Sequence, residues 1–119
     1  MKAKPAEQEK TKRELLKTFD VVSPFWEGLS AACYRGEWLH IRPNGKPAYQ
    51  RRFAHVYSFT GGLAPARNKK GLWCHIGHDG KPAYKQRYLY VGPFSQGLAV
   101  VCNKLGIEFK IRPDGTRAD

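Results

Sequence analysis

Apolar and polar residues alternate with a period of two in several short runs of this 119-residue chain. Residues 37–41 (EWLHI), 72–76 (LWCHI) and 107–111 (IEFKI) show it most clearly. In a strand such alternation sends successive side chains to opposite faces. One face carries Leu39 and Ile41, then Leu72, Cys74 and Ile76, then Ile107, Phe109 and Ile111. It is apolar in every run and is expected to face the core. The other face carries Trp38 and His40, then Trp73 and His75, then Glu108 and Lys110.

The three runs belong to a longer repeat. Ile41, Ile76 and Ile111 are spaced by 35, as are Gly36, Gly71 and Gly106, and Gly45, Gly80 and Gly115. Phe25, Phe59 and Phe94 align, and so do Gly28, Gly62 and Gly97. A fixed period of this length marks a repeat architecture. Each copy opens with an aromatic residue, two variable residues and Gly-Leu, the Gly expected to supply a positive φ in a tight turn. A short apolar run such as residues 98–102 (LAVVC) reads as a strand. A basic turn follows at Arg35-Gly36, Lys69-Lys70-Gly71 and Lys104-Leu105-Gly106, and then the alternating strand. Asn44-Gly45, Asp79-Gly80 and Asp114-Gly115 are hairpin signals. A third extended run, beginning Lys81-Pro82-Ala83-Tyr84, leads to the next aromatic.

The predicted fold is therefore all-β, a tandem array of meanders of about 35 residues, with a partial propeller-like sheet as the second architecture. The units are residues 19–52, 53–87 and 88–119, with residues 19–24 reading as the close of a preceding unit. The last copy reads Arg117-Ala118-Asp119 where the others read Pro47-Ala48-Tyr49 and Pro82-Ala83-Tyr84. Self-association through an open edge would offset so short an array. The Trp-His pair, replaced by charges in the third copy, has two readings. It packs against the neighbouring copy, or it forms a binding stripe.

Residues 1–18 differ in composition, being charged and nearly free of aromatics. Pro5 can sit at a helix start, and residues 6–18 are good helix formers. A short helix covering the open edge of the first strand, or a solvated tail, is expected. There is no long apolar run of membrane-spanning type and no signal-peptide pattern. Three cysteines without a CxxC pair point to free thiols in a reducing, cytoplasmic compartment.

The pattern aromatic-x-x-Gly-Leu, then Gly-x-Trp-x-His-Ile, then Asn/Asp-Gly resembles the WG-repeat (KWG) family of bacterial proteins over residues 19–117. The resemblance implies a β-rich repeat with binding or scaffolding roles and brings no catalytic residues. One position departs from the family. Where it has Gly after Trp, this chain has Leu39, Cys74 and, in the last copy, Phe109.

The candidate chemistry is sparse. Cys33, Cys74, Cys102, His40, His55, His75 and His78 could ligate a metal, but periodicity scatters them and no metal or other cofactor is expected. Carboxylates are few, and no GxSxG, Walker-type loop or HExxH occurs, so no enzymatic activity is expected. The net charge of +11 is the footprint of a polyanion binder. Arg51, Arg52, Lys85 and Arg87 lie on the third extended run, with Tyr84 and Tyr88 nearby and Tyr49 and Tyr90 in related places. A basic row with aromatics suits single-stranded nucleic acid. Trp38, His40, Trp73 and His75 are the candidate residues for a protein partner. Protein interaction or scaffolding is the first reading, RNA or single-stranded DNA the alternative.

Overall fold

The computed structural model describes residues 8–118. It contains one short helix and nine strands: α1 (Lys12–Leu15), β1 (Val21–Val22), β2 (Ser30–Tyr34), β3 (Glu37–Ile41), β4 (His55–Val56), β5 (Ala64–Arg67), β6 (Trp73–Ile76), β7 (Tyr90–Val91), β8 (Ala99–Cys102) and β9 (Glu108–Ile111). They form three antiparallel sheets, β1-β2-β3, β4-β5-β6 and β7-β8-β9. No described helix is long and apolar enough to cross a membrane. The molecule is elongated, 57 × 32 × 20 Å, as a linear array should be.

Each sheet is the expected three-stranded meander, with one strand in a different place. The third strand of a unit is the two-residue strand before the aromatic, not the run after Asn/Asp-Gly. Val21–Val22 therefore begins the first sheet rather than closing a missing unit. The run from Lys81 makes isolated bridges, Pro82 to Ile76 and Tyr88 to Trp73, and turns between them. Pro82 has no N–H to extend a ladder, and the Arg87 Nη1 donates to the carbonyls of Tyr84, Lys85 and Gln86, which holds the chain curled.

The Gly-Leu turns are two-residue hairpins. Glu27 and Gly28 both have positive φ, at 53° and 78°, and Trp26 and Leu29 exchange backbone hydrogen bonds across them. Gly28 and Gly62 are 34 apart, but Gly62 and Gly97 are 35 apart. The missing residue lies in the β2–β3 turn. There Arg35-Gly36 forms another two-residue turn. Its counterparts are longer by one, and Asn68 Oδ1 accepts the N–H groups of Lys70 and Leu72, as Asn103 Oδ1 accepts those of Leu105 and Ile107.

The core face assigned from alternation holds where it lies inside a strand. Leu39, Ile41, Cys74, Ile76 and Ile111 are buried. Leu39 and Cys74 fill the interior at the place where Gly follows Trp in the family pattern. Phe109 is half-buried, under the Arg117 guanidinium at 4.4 Å. Leu72 and Ile107 depart from the expectation because they precede β6 and β9 and sit in the turn, where Ile107 is exposed.

The helix is shorter than residues 6–18. Thr11 and Glu14 close a capping box that starts it at Lys12, and Leu16 caps its end. Pro5 lies outside the described residues. Four residues have no independent helical stability, so burial of Leu15 holds the helix in place. A Cβ on Gly45 would lie 3.1 Å from Leu15 Cδ2. A Cβ on Gly80 would meet Tyr49 Cγ at 2.6 Å, and one on Gly115 would meet Tyr84 Cβ at 2.6 Å. Leu15 thus occupies, on the first repeat, the place that Tyr49 and Tyr84 occupy on the second and third. The helix sits over the Asn44-Gly45 turn, where Lys10 N–H also bonds the Pro43 carbonyl at 2.8 Å.

Candidate interaction surface

The sheets meet edge to edge. Trp38 and Phe53 exchange two backbone hydrogen bonds of 2.9 Å, and Trp73 and Tyr88 do the same at 2.8 and 2.9 Å. Next to each bridge lies a buried histidine. His40 Nδ1 is 2.6 Å from the Tyr49 hydroxyl, and its Nε2 is 2.8 Å from the Tyr57 carbonyl. His75 repeats this with the Tyr84 hydroxyl at 2.6 Å and the Gly92 carbonyl at 2.7 Å. Carbonyls only accept, so Nε2 carries the proton and Nδ1 accepts the tyrosine proton. Phe59 and Phe94 cover the rings at 4.4 Å centroid separation. Burial pushes the His40 imidazole down to about 4, against the opposing pull of the Tyr57 carbonyl bond. Burial lowers His75 and raises both tyrosine hydroxyls.

His40 and His75 are 0% exposed, so they are joints between repeats rather than surface residues. Tyr84 and Tyr88 are also buried, as is Tyr49, because they fill the same joints. Arg52 and Arg87 are half-buried, each with Nη1 donating to three carbonyls of its own turn. Arg51 and Lys85 are exposed. The anticipated row of four charges beside two tyrosines is therefore reduced to two exposed cations, with the aromatic rings inside.

The tryptophans do reach the surface, in company that alternation within one strand did not reveal. Cross-strand partners share a face, which sets Val21, Cys33 and Trp38 in one row, His55, Arg67 and Trp73 in the next, and Tyr90, Cys102 and Glu108 in the third. His55 lies 4.3 Å from Trp38 and 4.6 Å from Tyr57, ring centre to ring centre. Tyr57 stacks on Trp73 at 5.4 Å with a 7° interplanar angle. The Arg67 guanidinium lies 5.8 Å over Trp73. Burial, then the Arg67 charge, keeps His55 below its ordinary value. Tyr57 and Tyr90 are 53% and 50% exposed and line one groove of about 410 Å3 with Pro65 and Pro93. His55, Tyr57, Arg67 and Tyr90 had no motif to announce them. Arg67 pairs with Trp73 across the strands, and His55 and Tyr57 meet Trp38 and Trp73 only through the fold.

The other titratable groups serve the array. Burial alone would raise Glu27, but bonds from Gly62 N–H at 3.1 Å and His78 Nε2 at 3.0 Å outweigh it and hold the carboxyl low. They tie the first Gly-Leu turn to the second repeat. Burial raises the Cys74 thiol. Among the described residues no three His, Cys, Asp or Glu side chains gather as metal ligands.

This geometry defines a tandem β-repeat protein, with meanders bridged edge to edge and a His–Tyr latch at each joint. The family model described as WG containing repeat matches residues 41–73, from the end of β3 to the first residue of β6. Over this stretch the chain carries a WG-family repeat. A comparison with curated proteins gives no match.

Proposed function

We propose that this chain is a non-enzymatic interaction module that binds a protein partner along the stripe of Trp38, His55, Tyr57, Trp73 and Tyr90. The observation that carries this reading is the half-exposure of Tyr57 and Tyr90 beside half-buried tryptophans on one face. Exposed aromatic patches of this kind serve as interaction sites, and Tyr and Trp dominate interface energetics. The buried His–Tyr latches support it by fixing the spacing of the rows. The repeats multiply one surface rather than assembling one reactive constellation.

The test is site-directed photo-crosslinking of the whole chain. A benzophenone residue placed at position 57 or 90 should yield adducts with protein. The same residue at Leu105, exposed in the third basic turn, should not. Equal yields at all three positions, or adducts with nucleic acid in place of protein, would remove the reading.

A further inference from the structure

The groove shared by the second and third repeats restricts its occupant more than the stripe does. Tyr57, Pro65, Tyr90, Val91 and Pro93 make its lining mostly apolar. The Tyr57 ring is held by its stack on Trp73 and by the His55 edge. A ring already fixed loses little entropy on binding. The strands beneath offer little free ladder. β5 and β8 are paired on both sides, and the edge strand in the lining, β7, is two residues long. An added β-strand would find too short an edge to pair along. A polyproline II segment needs none, and such segments dock in aromatic-lined grooves.

Charge narrows the choice further. Pro93 also lines a second stretch of about 320 Å3, whose lining includes Lys110. Lys110 is exposed and stands where the other repeats have His40 and His75. On the opposite side, Tyr57 abuts Trp73 and the Arg67 guanidinium above it. Among the described residues, Arg67 Nε is the buried side-chain nitrogen or oxygen without a hydrogen-bond partner. Neither stretch has a carboxylate in its lining.

We infer that the Tyr57–Tyr90 groove docks an extended, proline-containing peptide flanked by carboxylates, which face Arg67 and Lys110. The inference rests on the protein-binding reading above and names the chemistry of the partner.

The probe is a synthetic hexaproline peptide with aspartate pairs at both ends, titrated into the full chain and followed by amide shifts. The amides of Tyr57, Tyr90 and Val91 should move and saturate. Tyr90→Ala should weaken binding about tenfold, with circular dichroism unchanged because the ring is half outside. Lys110→Glu should weaken the aspartate peptide and strengthen its lysine-ended counterpart. The inference is overturned by no saturable binding, by equal binding of the lysine-ended peptide, or by indifference to Tyr90→Ala. Oligothymidylate moving the same amides in the peptide's place would also overturn it. Failure of the peptide with protein crosslinks retained at position 57 removes the proline chemistry alone. Failure of both removes the interaction reading as well.

Discussion

Nε2 of His40 faces a carbonyl and Nδ1 faces a hydroxyl, so the ring works only while neutral. Its folded value of about 4 lies below the ordinary 6.5, and His75 is shifted the same way. Between those values the unfolded chain binds more protons than the folded one. Stability is therefore fully present above 6.5 and falls as pH falls through the window toward 4. The melting temperature should decline between about pH 7 and pH 4.5, before most carboxylates titrate. A flat profile there would contradict the burial of these rings. Alternation placed His40 and His75 on the face opposite the apolar one, and among the two readings the packing one describes them. The sequence could not show their partners. Tyr49 and Tyr84 lie nine residues on, beyond a turn, where period-two reasoning has no purchase.

At the scale of elements, what was legible followed the length of the run. β3, β6 and β9 are long enough for alternation to name their inner faces, and the Asn/Asp-Gly turns were plain. β1, β4 and β7 have two residues each, too few for a period. The turn that precedes each of β4 and β7 is held by an arginine curling onto carbonyls, which composition presents as a free cation. The helix was legible as helix-forming composition, but its start was set by Thr11 and Glu14 and its end by Leu16, after the single buried Leu15. Leu15→Ala should cost about 2–5 kcal/mol, as for other fully buried leucines. Thermal melts check it. A loss below about 0.5 kcal/mol would show that α1 does not cap the first repeat.

The molecule as a whole is a short one-dimensional array. Phe59 and Phe94 are buried against the histidine of the repeat before them. Phe25, with no such histidine beside it among the described residues, is 38% exposed. Stability in such an array is a sum of repeat terms and neighbour terms. Ile76 and Ile111 are both 0% exposed, but only Ile76 lies in a sheet joined on both sides. Ile76→Ala should cost about 2–5 kcal/mol and Ile111→Ala less. Equal losses in denaturant melts would mean that the joints transmit little.

The joints themselves can be read directly. Long-range proton–nitrogen correlation spectra of the whole chain report the tautomer and titration of each imidazole. If the latches join the repeats, His40 and His75 appear as the Nε2-protonated form, and both titrate below the ordinary 6.5, His40 at about 4. His40 and His75 titrating together near 6.5, or protonated on Nδ1, would contradict the account of how these sheets are held in line.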